Sequence, residues 1–216
     1  MTISNKSAIS TVYIVDDDLS ICESLSSLIR SEGNGIIVEF FTSAQDFLQN
    51  SNLKSSACLV LDVRMPGLDG LGLQDHLCEL GNRIPIIFMS GNSEVPQVVR
   101  AIKKGAVNFL NKPFKDTDLL RAIDEALLQS TLSFSEKIKL DQLCACFESL
   151  TLREKQIMVE VVKGKLNKSI ASDLGVTEST VKVHRHNVMS KMNIKSLPEL
   201  TLALQQLKKI YQNGFD

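Results

Sequence analysis

The sequence has none of the roughly eighteen-residue apolar runs that a membrane-spanning helix needs, so no span is expected. Its first residues, Met1-Thr2-Ile3-Ser4-Asn5-Lys6, hold no apolar segment, and no secretory signal is expected either. Cysteine is scarce. Its five copies, an odd number without paired spacing, argue against a disulfide scaffold and for reduced thiols in a cytoplasm. Net charge is lacking too, with 24 Lys and Arg against 25 Asp and Glu. What is present, 44% apolar and 23% charged residues among 216, is an ordinary globular composition with room for one large or two small domains.

The near-neutral balance conceals an asymmetry. Residues 1–130 hold 11 basic against 16 acidic side chains, whereas residues 131–216 hold 13 against 9. An acidic first part and a mildly basic second part point to separate jobs, the second suited to a polyanion.

The most informative stretch is Cys58-Leu59-Val60-Leu61-Asp62-Val63-Arg64-Met65-Pro66-Gly67. A short apolar run closed by turn residues reads as a strand buried on both faces, with Asp62 at its carboxyl end. Around it the chain alternates strand and helix. Val12 to Val15 is a strand ending in Asp16-Asp17-Asp18, and Leu19, Cys22, Leu25, Leu28 and Ile29 follow a helix that Gly33 ends. Ile36 to Phe41 is a second strand, and Ser43 caps a short helix. A helix through Leu71, Leu73, Leu77 and Leu80 stops at Gly81. Pro85 to Met89 is a strand that runs into Ser90-Gly91-Asn92, and a helix over Val95 to Lys104 ends at Gly105. Val107 to Leu110 is the fifth strand, before Asn111-Lys112-Pro113, and Asp116 opens a further helix. Such alternation implies a parallel sheet with helices on both faces.

In that register Asp16, Asp17, Asp62, Ser90 and Lys112 all fall at the carboxyl ends of strands, along one sheet edge. Three carboxylates gathered there repel one another, and an oxygen-only set beside a phosphoryl group suits Mg²⁺. Lys112 can balance a phosphoryl charge, the Ser90 hydroxyl can donate to its oxygens, and Asp62 can act as the nucleophile that forms an acyl phosphate. Each residue alone also has an ordinary explanation: turn and helix cap for the aspartates, turn for Ser90, solvated charge for Lys112. Their joint order is what favours chemistry.

The motifs Val15-Asp16-Asp17-Asp18, Leu61-Asp62-Val63-Arg64-Met65-Pro66-Gly67-Leu68-Asp69-Gly70, Met89-Ser90-Gly91 and Lys112-Pro113-Phe114 resemble the receiver domain of bacterial response regulators over about residues 10–130. The resemblance implies a flavodoxin-like α/β fold of five parallel strands in the order 2-1-3-4-5. It implies that Asp17, Asp62 and the backbone carbonyl of Arg64 bind Mg²⁺, with Asp16 acting through water. A sensor histidine kinase would donate a phosphoryl group to Asp62. The family's switch couples Ser90 to the aromatic Phe109, which is equally an ordinary core residue. A cis Lys112–Pro113 bond is also implied.

Gln129 to Ser135 is small and polar and reads as a boundary, followed by a short helix near residues 138–150. We place the receiver at 8–130, a helical linker at 131–148 and a second domain at 149–213. Cys144 and Cys146, like His184 and His186, are two apart, about 200° on a helix, so neither pair readily grips one metal ion. Buried reduced thiols are the better reading for the cysteines.

In the second domain Thr151-Leu152-Arg153-Glu154 is a capping box that opens a helix ending near Gly164. A short helix over Asn167 to Leu174, a turn at Gly175-Val176-Thr177 and a helix from Glu178 to about Met192 make a helix-turn-helix. Ser196-Leu197-Pro198-Glu199, a second capping box, starts the last helix. The second helix of the motif is rich in donors suited to base edges, and Lys168, Ser169 and Lys191 could hold phosphates. Leu150 to Glu154, Asn167 to Ala171 and Val176 to His184 resemble the LuxR type of DNA-binding domain, which is an all-α four-helix unit. That resemblance implies base contacts from Lys182, Val183 and His186, phosphate contacts from Thr180 and Lys168, and DNA-facing Arg185 and Asn187. Glu154 is implied to make an internal salt bridge.

A receiver joined to such a domain resembles the FixJ/NarL class of response regulators. The resemblance implies a cytoplasmic transcription factor that dimerises on phosphorylation through a face spanning Val98 to Phe109. Its partners would be promoter DNA and RNA polymerase. An aspartyl-phosphate phosphatase would want a second carboxylate two residues after the nucleophile, where Arg64 stands. A redox-sensing DNA-binding protein remains the other reading.

Overall fold

The computed structural model describes residues 10–32, 35–51, 53, 56–91 and 95–211; Gly33 and Asn92, read above as helix and strand stops, lie outside them. The chain divides into two compact units, residues 1–135 and 136–216.

The first unit is a parallel sheet in the order β2-β1-β3-β4-β5. Its strands are β1 (Thr11–Val15), β2 (Ile37–Phe41), β3 (Ala57–Asp62), β4 (Ile86–Ser90) and β5 (Asn108–Asn111). The helices between them are α1 (Leu19–Ser31), α2 (Ala44–Asn50), α3 (Gly70–Glu79) and α4 (Val95–Lys103). β1, β3 and β4 are buried along their whole length, as apolar runs without alternation require.

Successive side chains point to opposite faces, so the two cores follow from the odd and even residues of the strands. Tyr13, Val15, Leu59, Leu61 and Phe88 pack with Phe47 of α2, Leu73 and Leu77 of α3 and Ala101 of α4. Val12, Ile14, Cys58, Val60, Ile87 and Met89 pack with Cys22, Leu25 and Ile29 of α1 and with Leu119, Ala122, Ile123 and Ala126. Those last four lie on α5, which runs from Asp116 to Glu148. The short helix read near residues 138–150 is therefore the far part of α5, because the residues from Gln129 to Glu148 include no glycine or proline to stop it; the boundary read at Gln129 to Ser135 lies within that helix, and the two units divide after Ser135. Ser130 and Thr131 are also engaged with the sheet. Ser130 Oγ accepts from Ala57 N at 3.1 Å, and Thr131 Oγ1 lies 3.3 Å from Ser56 Oγ.

The second unit continues with α6 (Leu152–Val162), α7 (Asn167–Leu174), α8 (Glu178–Lys191) and α9 (Leu197–Ile210). Ile157, Met158, Ile170, Val181, Val188, Leu200, Leu204 and Leu207 form its core. Both halves of the Thr151 capping box are present: Glu154 N donates to Thr151 Oγ1 and Thr151 N to Glu154 Oε2. The box expected at α9 differs. Ser196 caps Glu199 N, but Glu199 Oε2 accepts from Lys195 N at 3.0 Å, one residue further back. Gly175, with φ +64°, supplies the left-handed turn between α7 and α8. Cys144 and Cys146 are half-buried rather than buried, and with Leu143 they pack at the rim of the core beside the buried Phe147.

Candidate functional site

Strand register gathers the acidic edge. Val15 pairs with Leu61, so Asp16 and Asp62 stand abreast at the carboxyl ends of the neighbouring strands β1 and β3. Asp62 pairs with Met89, which puts Ser90 one step beyond on β4; Ser90 pairs with Asn111, and Lys112 follows. The Lys112–Pro113 bond is cis.

Asp16 and Asp62 are 1% and 6% exposed, depths at which a carboxylate needs partners. Lys112 Nζ donates to Asp16 Oδ2 at 2.6 Å and to Asp62 Oδ1 at 2.7 Å. The remaining oxygens accept backbone N–H groups: Asp16 Oδ1 from Asp18 at 3.0 Å, and Asp62 Oδ2 from Arg64 at 2.6 Å. Burial raises the Asp62 pKa above the ordinary carboxyl value, and Lys112 and the Arg64 N–H oppose it without cancelling it. Burial also disfavours the Lys112 charge, but hydrogen bonds and attraction from both acids outweigh it, and its pKa stands above the ordinary amine value. One ammonium thus holds two buried acids in place while neutralising only part of their charge.

The rest of the acidic triplet separates. Asp17 is exposed, and Asp18 caps α1 by accepting from Ser20 N at 2.8 Å. Among the described residues no three or more His, Cys, Asp or Glu side chains form a ready-made metal cluster. Ser90 is buried. Phe109 is half-buried, with its ring centroid 6.0 Å from that of Phe88.

Two neighbours were not legible as site residues. Gly70 opens α3 directly behind Asp62: a Cβ there would lie 2.2 Å from the Asp62 carbonyl oxygen, so only glycine admits this approach. Its sequence signal is its place right after the helix-capping Asp69. Cys22 Sγ donates to the Asp16 carbonyl at 3.4 Å, and burial, with Asp16 adding to it, pushes the thiol up to about 11. Burial raises the Cys58 thiol as well. Thiols held so far from the thiolate are packing groups.

In the second unit the structure sorts the expected DNA contacts into two sets. Ser179, Lys182, Val183, His186 and Ser190 are all exposed and recur at three- and four-residue steps, so they share one face of α8. Val183 is 59% exposed on that face, which leaves its methyl groups open to an apolar contact. Lys168 and Ser169 are exposed on α7, and Thr180 and Asn187 are half-buried. Lys191 has a structural partner as well. Its ammonium sits 2.8 Å from Oε2 of Glu154, itself 3% exposed, so it serves as counter-ion to a buried acid. Arg185 is half-buried, and its Nη1 donates to Asn167 Oδ1 at 3.2 Å.

A doubly wound sheet with a guarded aspartate at its edge, followed in the chain by a helix-turn-helix with a polar outer face, defines a two-part signalling protein that ends in DNA recognition. Comparison with known proteins agrees. Residues 12–124 match the response regulator receiver domain, and residues 148–204 match the bacterial regulatory proteins of the luxR family. Response regulator protein TodT of Pseudomonas putida is 47% identical across 92% of this chain and 87% of its own length. Transcriptional regulatory protein FixJ of Bradyrhizobium diazoefficiens is 39% identical across 88% and 91%. Among solved structures, response regulator StyR superposes with a TM-score of 0.83 at 43% identity, covering 92% of this chain and all of that one. The chain belongs to the response regulators of the FixJ/NarL class, transcriptional regulators that join a receiver to a LuxR-type DNA-binding domain.

Proposed function

We propose that Asp62 is the residue that accepts the phosphoryl group from a sensor histidine kinase, and that its modification controls promoter binding through α8. The observation that carries this reading is the Lys112 bridge between two almost fully buried acids at the sheet edge. Asp62 Oδ attacks phosphorus as the bond from phosphorus to the donor nitrogen breaks, and the donor histidine leaves with the bonding pair. Lys112 then exchanges one carboxylate partner for a phosphoryl oxygen, and the Ser90 hydroxyl is a candidate donor to another. Asp17, Asp62 and the Arg64 carbonyl would hold a divalent cation in this reading, with Asp16 acting through water. Each Asp16 and Asp62 oxygen accepts a hydrogen bond, and a carboxylate oxygen with two lone pairs keeps one for a hard ion or a bridging water. When bound, Mg²⁺ neutralises charge on the transferring phosphoryl oxygens.

Lys182, Val183 and His186 are the base-reading set on α8, with Lys168, Ser169 and Thr180 toward phosphates. The dimer formed on phosphorylation uses α4 and β5, where Val95, Val99 and Ile102 are exposed. RNA polymerase is the downstream partner and the cytoplasm the compartment; the described helices include none long and apolar enough to cross a membrane. Asp62→Asn should abolish uptake of phosphate from acetyl phosphate in the presence of Mg²⁺, read by mobility shift in a phosphate-binding gel. Wild-type incorporation by the variant would end the assignment.

A further inference from the structure

The helix-turn-helix contains one contact that its expected DNA role does not use. Arg185 follows the buried Val181 by four residues and precedes the buried Val188 by three, which sets it on the inner side of α8. The exposed row of Lys182, Val183 and His186 lies on the outer side. The Arg185 guanidinium reaches sideways to Asn167, the first residue of α7.

Place matters here. α7 and α8 are joined at Gly175-Val176-Thr177, so each helix is anchored at the turn. Asn167 lies at the end of α7 away from that turn, and Arg185 lies about two turns into α8, each about 10 Å along its helix. The bond therefore spans the open side of the wedge between the two helices. Ile170 and Val181 pack inside the wedge, but apolar packing is non-directional and leaves the angle soft. A directed hydrogen bond at the far end is a device for setting that angle.

We propose that Arg185 is a positioning residue for DNA recognition. Through Asn167 it fixes the tilt of α8 against α7, and with it the depth at which Lys182, Val183 and His186 enter the groove. It makes no contact of its own with base or phosphate. This rests on the reading of α8 as the recognition helix.

The test uses the full-length protein treated with beryllofluoride and Mg²⁺, and a duplex selected from a random-sequence pool by the unsubstituted chain. Arg185→Met and Asn167→Ala should each lower affinity for that duplex about tenfold, the size of one lost base contact. Binding to mixed-sequence DNA should stay unchanged, and so should the slope of log affinity against log salt. The double variant should lose no more than either single one. Circular dichroism spectra matching the unsubstituted chain ensure that folded proteins are compared. A salt slope smaller by about one unit would make Arg185 a phosphate contact and overturn the proposal. So would relaxed preference at a single base pair, or an unchanged ratio of specific to mixed-sequence binding. If the unsubstituted chain selects no duplex at all, the reading of α8 fails as well.

Discussion

The two candidate sites handle charge in opposite ways. At the sheet edge, Asp16 and Asp62 are nearly sealed from water, and Lys112 stands between them. On α8, the Lys182 side chain is 64% exposed and pairs with Glu178 one helical turn away. Buried charges must be satisfied within the protein, so their geometry is specified to fractions of an ångström and reports on one small ligand. Exposed charges are screened and mobile, and they acquire a geometry only against a large charged partner. A site for chemistry and a site for a polyanion are thus told apart by burial before any function is assigned.

The sharpest challenge to this contrast comes from two valines of α8 that stand two residues apart. Val181→Asp places an unpaired charge in the core and should unfold the second unit, seen as loss of helical circular dichroism from that unit. Val183→Asp should change stability by no more than about 0.5 kcal/mol yet abolish DNA binding in a mobility-shift assay. Equal stabilities of the two variants would break the comparison.

At the other site, Lys112→Met removes the shared counter-ion and should cost the first unit about 3 kcal/mol at neutral pH, measured by calorimetry. A stabilised variant would mean that the acids relax by other means. Gly70→Ala is expected to cost about 2 kcal/mol, since backbone must move to admit a methyl group 2.2 Å from the Asp62 carbonyl. It should also slow phosphorylation by acetyl phosphate, and an unchanged rate would separate Gly70 from the site.

The smallest effect concerns Glu154. Burial opposes its charge, but Lys191, the Thr151 N–H and the Thr151 hydroxyl outweigh that and hold its pKa below the ordinary 4.5. A lowered folded-state value stabilises the fold fully above the unfolded value and is lost as pH falls through the folded one. The melting difference between the wild type and Glu154→Gln should therefore be constant at neutral pH and shrink below pH 4.5. A difference that grew on acidification would contradict the ion pair.

Much of the fold was legible because its signals are local. Apolar runs ending in Pro-Gly or Asp mark strands, and Ser43, Thr151, Thr177 and Ser196 mark helix starts through their own side-chain caps. Where reading failed, the deciding contact lay far away in sequence. Gln129 to Ser135 looks like a break in the chain by composition, and the two units do divide after Ser135, yet Ser130 binds the backbone of Ala57, 73 residues earlier, inside a helix that continues to Glu148. Nothing near Lys191 in sequence shows that its ammonium answers Glu154, 37 residues before it.

Residue order alone was enough to set five strand ends in line and to place Asp62, Ser90 and Lys112 on one edge, because parallel pairing converts position along a strand into position in space. It could not say which cation answers which acid. That Lys112 bridges Asp16 and Asp62, that Lys191 serves Glu154 and that Arg185 turns toward Asn167 was decided by tertiary packing. The reason is physical: a long charged side chain can reach several partners, and only the surrounding burial determines which of them it must satisfy.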